Sequence, residues 1–212
     1  VVFNINYRLV PDVTVNQQLQ DVARALRWIR DHGSQYPCDM QNIMLTGDSA
    51  GGQLAAYSAV LMQSAQLRKT FDTVDPQMEL TALLLTSPVA FMRDGGLFSL
   101  YTKPMWGTDY KDKATYPYMD FDQIIDYAQA LPPTYLITSS GDTLANKQTH
   151  RLYEVLQAHG VQAEIKDYAK AEYNQSLPHV FSVLQPFEPA GTAAIDKALA
   201  FYQQAMTAKA AQ

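Results

Sequence analysis

Cysteine is all but missing: Cys38 is the only one in 212 residues. An internal disulfide is excluded, and so is a cysteine-rich metal site. A lone thiol is compatible with a reducing compartment, and a cytoplasmic location is the expectation. Basic residues are outnumbered, 16 Lys and Arg against 21 Asp and Glu, which leaves a net charge of −5. That balance excludes a general nucleic-acid binder and a polybasic membrane anchor. No apolar run approaches the ~20 residues that span a bilayer. Histidine is scarce, with four residues. An imidazole base would have to be His32, His150, His159 or His179. The opening VVFNINYRLV lacks an initiating methionine and shows no signal peptide. It reads as a buried strand over Val1–Tyr7, and the expectation is a fragment or processed piece of a longer protein.

What is present is ordinary globular material. An apolar content of 47% over 212 residues is enough for one domain with a large core. Apolar positions Leu19, Val22, Ala23, Leu26 and Ile29 share one face of a predicted helix over 16–31. His32-Gly33 is its predicted stop. Asn42–Thr46 and Leu80–Thr86 read as strands, with a helix over 50–68 between them. Residues 91–130 break the rhythm with Phe91, Phe98, Tyr101, Trp106, Tyr110, Tyr116, Tyr118, Phe121 and Tyr127 among glycines and prolines. Asp122–Ala130 is predicted as a short helix. Thr134–Ser139 and Ala163–Tyr168 read as further strands, separated by a helix near 145–159 that ends at Gly160. A last helix over 190–206 shows Ile195, Ala198, Leu199, Tyr202 and Met206 on one face. Apolar strands alternating with helices predict an α/β fold, a mostly parallel sheet flanked by helices. The expectation is a single domain over 1–212, with 91–130 as a cap-like or pocket-lining insertion. Ordinary aromatic packing is the alternative for that segment.

Ligands of such sheets bind beyond the carboxyl ends of the strands. Three polar spots fall there: Gly47–Ser49, Gly141–Asp142 and the loop around His179. Gly47-Asp48-Ser49-Ala50-Gly51 fits G-x-S-x-G at a strand-to-helix turn. In such a nucleophile elbow the serine takes a strained backbone conformation, and small neighbours at Gly47 and Gly51 relieve the crowding. The N–H of Ala50, at the start of a helix, can donate to an oxyanion. A glycine turn capped by Asp48 or Ser49 is the structural alternative. A serine hydroxyl needs a base to take its proton. His32 and His159 sit beside helix-ending glycines, and His150 lies within a predicted helix. His179, in the loop after the last strand, is the candidate base. An acid must hold the imidazole in the right tautomer. Asp142, directly after a strand, is the candidate, with helix capping as its alternative role. Asp48 should point away from the serine, and Asp126 and Asp167 lie within predicted elements.

With these residues in hand, the chain resembles the α/β-hydrolase superfamily, and within it the hormone-sensitive-lipase-like carboxylesterase and lipase group. The resemblance is carried by Tyr7-Arg8-Leu9-Val10-Pro11-Asp12, by Gly47-Asp48-Ser49-Ala50-Gly51-Gly52, by Asp142 in SSGDTL, and by His179-Val180-Phe181. It implies ester hydrolysis through an acyl-enzyme, with Ser49 as nucleophile, His179 as base and Asp142 as its orienting acid. Short-chain acyl esters would be the substrate, and no metal or organic cofactor is required. A homo-oligomer is allowed but not dictated. Three departures stand out. The group's H-G-G-G stretch, which supplies oxyanion donors, is absent, and losing one donor costs ~10²–10³ in rate. Missing upstream strands should leave an open sheet edge and exposed apolar surface. AKAEYNQSLPH is long enough to displace His179 or to form an extra loop. Two other readings share the fold: a small-molecule-binding protein without turnover, and a peptidase or amidase.

Overall fold

The computed structural model describes residues 1–93 and 100–211. Two compact units emerge. One comprises Val1–Gln41, Tyr57–Glu79 and Phe91–Ala130, the other Asn42–Ala56, Leu80–Ala90 and Leu131–Gln212.

The second unit holds a four-stranded sheet: β1 (Met44–Asp48), β2 (Ala82–Thr86), β3 (Thr134–Ser139) and β4 (Ala163–Tyr168), in spatial order β1-β2-β3-β4. All three pairings are parallel, as the sequence predicts. Every residue of β3 is buried, whereas the edge strand β1 is at best half-buried. Helix α5 (Asn146–Ala158) packs against β3 and β4. Helix α8 (Pro189–Ala210) covers the sheet face that carries Ala82, Tyr135, Ile137 and Tyr168. Its buried line is Ala190, Ala194, Ala198, Phe201 and Ala205, at spacings of three and four. This corrects the predicted face: Ile195 and Leu199 are exposed. Small side chains let the helix axis approach the sheet, and one large residue, Phe201, packs on Tyr135 with the rings tilted and their centroids 5.3 Å apart. Gly160 ends the turn after α5 at φ +72°, a conformation that glycine adopts without strain.

In the first unit, α1 (Val15–His32) buries Leu19, Val22, Ala23, Leu26 and Ile29, the predicted face. Gln17 Oε1 accepts from the Thr14 N–H at 2.9 Å and closes its first turn. Gly33 follows with an ordinary right-handed φ of −57°. A Cβ there would sit 2.3 Å from Met40 Sδ, so the end of that flexible side chain would have to move aside. The predicted strand at Val1–Tyr7 is not formed. Val1 and Val2 are exposed, and no ladder partner stands beside them among the described residues. β-branched composition favours a strand only where another strand takes up the backbone groups.

The predicted helix over 50–68 is two helices, α2 (Ser49–Leu61) and α3 (Ala65–Phe71). Ser64 makes the break: its Oγ accepts from the Leu67 N–H at 3.2 Å and caps α3. Helix α2 is buried on all sides from Gly52 to Leu61, so it shows no amphipathic stripe. Asp122–Ala130 forms two 3₁₀ turns, Phe121–Gln123 and Ile125–Tyr127, instead of an α-helix. A short helix, α4 (Thr102–Trp106), precedes them. Phe91, Trp106 and Phe121 are fully buried, with Tyr57 6.5 Å from Trp106 and 6.1 Å from Phe121. Phe98 lies outside the described residues. Asp120, also buried, accepts from the N–H groups of Met92 and Arg93 at 2.6 and 3.0 Å. Burial raises its carboxyl pKa above the ordinary value, against those two bonds.

Candidate active site

Strand β1 runs into α2 with a single residue at the corner. Ser49 holds φ +50°, the left-handed region that non-glycine residues rarely enter. Two constraints produce that corner. A Cβ on Gly47 would stand 2.3 Å from the Gly51 carbonyl oxygen and 2.4 Å from its carbon. The turn closes only because position 47 lacks a side chain. Gly52 lies close to Pro88, where a Cβ would meet Pro88 Cβ at 2.9 Å. The Val89 N–H donates to the Ser49 carbonyl at 3.2 Å and holds the corner from the far side. Ala50 lies in the first turn of α2, where helix N–H groups have no intrahelical acceptor.

Asp142 sits three residues beyond the end of β3, and its side chain is fully buried. Its two oxygens have separate tasks. Oδ1 accepts from the Leu144 and Ala145 N–H groups at 3.0 and 2.9 Å, leading the chain into α5. Oδ2 accepts from His179 Nδ1 at 3.0 Å. The capping role and the partner role weighed in the sequence are thus both present. Burial works to raise this carboxyl, but the His179 and Ala145 hydrogen bonds outweigh it, and its pKa lies below the ordinary carboxylate value. An ionised carboxylate only accepts, so Nδ1 of His179 carries the proton and Nε2 has a lone pair to offer. Nε2 is 2.9 Å from Ser49 Oγ.

His179 lies between two short helices, α6 (Lys170–Tyr173) and α7 (Phe181–Leu184). The extra length in AKAEYNQSLPH is taken up by α6, and His179 keeps both hydrogen bonds. Val180, the next residue, has φ +52°. For a β-branched side chain this is a strained conformation, on the order of 1–3 kcal/mol. Ser87, at the carboxyl end of β2, is also left-handed at φ +46°. Composition and periodicity signal neither conformation.

The other histidines are engaged elsewhere. Nδ1 of His32 donates to the Trp28 carbonyl at 2.9 Å, and Nδ1 of His159 to the Val155 carbonyl at 2.7 Å. Both sit at helix ends, as predicted. His150 forms a second His–Asp pair with Asp167 at 2.9 Å, about two-fifths exposed, and Asn146 Nδ2 donates to the same Asp167 oxygen. Sequence reasoning missed one further contact. Ser139 Oγ donates to the Leu177 carbonyl at 2.6 Å. The only signal was a run of small polar residues, Thr138 to Gly141, at a strand end.

A family model described as alpha/beta hydrolase fold matches residues 1–176. The chain is 27% identical over 201 residues to the probable carboxylic ester hydrolase LipM of Mycobacterium tuberculosis, covering 92% of this chain and 46% of that protein. It is 25% identical over 182 residues to an acetyl esterase of Salmonella choleraesuis, covering 79% and 53%. The crystal structure of esterase B from Lactobacillus rhamnosis superposes with a TM-score of 0.87 at 29% identity, covering 97% of this chain and 66% of that one. The same enzyme, inhibited by a tributyrin phosphonate, superposes with a TM-score of 0.84. The chain thus spans about half the length of these two curated relatives.

Proposed function

We propose a serine-esterase reaction for this chain, which belongs to the alpha/beta hydrolase fold family over residues 1–176. The observation that carries the reading is the pair of bonds on His179, 2.9 Å to Ser49 Oγ and 3.0 Å to Asp142 Oδ2. Ser49 Oγ attacks the ester carbonyl as its proton passes to His179 Nε2. The Ala50 N–H donates to the oxyanion that forms. His179 then protonates the leaving alcohol, which departs and leaves an acyl group on Ser49. Water repeats the attack, with His179 again taking the proton, and frees the acid. Asp142 holds the tautomer and stabilises the imidazolium throughout. The substrate is a small carboxylic ester with a short acyl chain, and neither nucleic acid nor a cofactor takes part.

Residues 91–130 are the cap-like or pocket-lining insertion of this single-domain reading, on the strength of their aromatic content and their place in the chain between β2 and β3. Among the described residues no helix is long and apolar enough to cross a membrane. A cytoplasmic location remains part of the reading, based on the single thiol.

The test is the intact mass of the protein before and after a fluorophosphonate probe. One adduct that maps to Ser49 and disappears in His179→Ala is the expected result. Ester hydrolysis that persists unchanged in Ser49→Ala would reject the nucleophile.

A further inference from the structure

We infer that Ser139 is a positioning residue that sets the spacing between the acid and the base; the inference rests on the serine-esterase reading above. The base lies on an irregular stretch, 174–180, with no ladder to hold it. Yet its ring must keep two hydrogen bonds at once, which requires placement within about 0.5 Å. Leu177, two residues before His179, is where this stretch meets the sheet. Ser139 Oγ donates to the Leu177 carbonyl at 2.6 Å, and Ser139 itself is completely buried. The carbonyl of the same residue accepts from the Asp142 N–H at 3.0 Å. Asn146 Nδ2, in the first turn of α5, also donates to that carbonyl at 2.9 Å. One residue therefore grips the backbone of the acid with its carbonyl and the approach to the base with its hydroxyl. Gly141 shows how close the two segments run: a Cβ there would meet the Leu177 oxygen at 2.6 Å. On the far side of His179, the strained φ of Val180 sets the direction in which the chain leaves.

Loss of the hydroxyl leaves β3 and Asp142 where they are but lets Leu177, and His179 with it, drift from Ser49. A displacement near 1 Å costs up to about a hundredfold in rate. A merely structural role would reduce how much protein reacts; a positioning role reduces how fast the folded protein reacts. The experiment is the time course of fluorophosphonate labelling of Ser49 in the whole chain, read by intact mass, which separates amplitude from rate constant. In Ser139→Ala the rate constant should fall roughly ten- to hundredfold with amplitude retained. Ser139→Thr, which restores the hydroxyl, should recover most of the rate. Gly141→Ala keeps the hydroxyl but presses on the same carbonyl, and should slow labelling independently. If ester turnover is followed as well, kcat should fall in Ser139→Ala while KM holds.

A rate constant in Ser139→Ala within about twofold of wild type would overturn the inference. So would a folded Ser139→Thr as slow as the alanine variant. Failure of the underlying reading looks different: the wild-type chain forms no adduct at Ser49, or His179→Ala reacts as fast as wild type. Either result removes the premise and the positioning role with it.

Discussion

Replacing Asp142 by asparagine separates the two tasks of that side chain. Oδ1 holds the Leu144 and Ala145 N–H groups at 3.0 and 2.9 Å, and Oδ2 faces His179 Nδ1 at 3.0 Å. An amide can keep Oδ1 as an acceptor only by turning its NH2 towards His179. The opposite flip would set NH2 against two N–H donors and forfeit two hydrogen bonds, each at about 1–3 kcal/mol for a buried group. The first orientation wins. His179 Nδ1 must then accept, so the ring proton moves to Nε2, the atom facing Ser49 Oγ. The serine proton has nowhere to go. Loss of this tautomer control costs on the order of 10⁴ in turnover, or about 5 kcal/mol at 1.36 kcal/mol per tenfold. The fold suffers far less. Charge-assisted bonds become neutral ones, a loss of about 1–2 kcal/mol, which lowers Tm by only a few degrees in a chain of this size. The sign of the pH dependence follows from the depressed carboxyl. Its stabilisation is present above the unfolded pKa and is lost as pH falls through the folded one, so the wild-type advantage in Tm narrows in acid. The assay pairs the rate of Ser49 phosphonylation with thermal melts at neutral and acid pH. Labelling within tenfold of wild type would refute the tautomer argument, and so would an inactivation explained by unfolding alone.

Two further outcomes follow from the geometry. Gly47→Ala puts a methyl 2.3 Å from the Gly51 oxygen, against backbone that cannot swing away. It should destabilise the protein by about 1–3 kcal/mol or more, measured by urea denaturation, and slow Ser49 labelling as the corner opens. Asp120→Asn keeps an acceptor for the Met92 and Arg93 N–H groups but removes a charge whose pKa burial raises. A raised folded pKa means that folding favours the protonated form, so the ionised carboxylate subtracts stability at neutral pH. The variant should melt above wild type at pH 7, and the gain should vanish as pH falls below the unfolded pKa.

The sequence by itself determined the fold class, the parallel sheet and the face of α1. These depend on local composition and period, which the chain carries wherever it goes. It also pointed to the corner at Ser49, through glycines that must lack side chains to let a strand become a helix in one residue. It pointed to Asp142 and His179 by their places after strands, and the structure sets His179 3.0 Å from Asp142 Oδ2 and 2.9 Å from Ser49 Oγ. Only the tertiary structure decided the rest. Val1–Tyr7 has strand composition but joins no ladder among the described residues, and a strand forms only where a second strand takes up its backbone groups. The buried face of α8 was chosen by alanines that allow close approach, with Phe201 among them, while Ile195 and Leu199 stay exposed. Among the described residues two His–Asp pairs stand at similar distances, and composition cannot say which one lies beside Ser49. The link from Ser139 to Leu177 spans 38 residues of sequence. No local pattern encodes such a bond, because it exists only once the sheet has brought the two segments together.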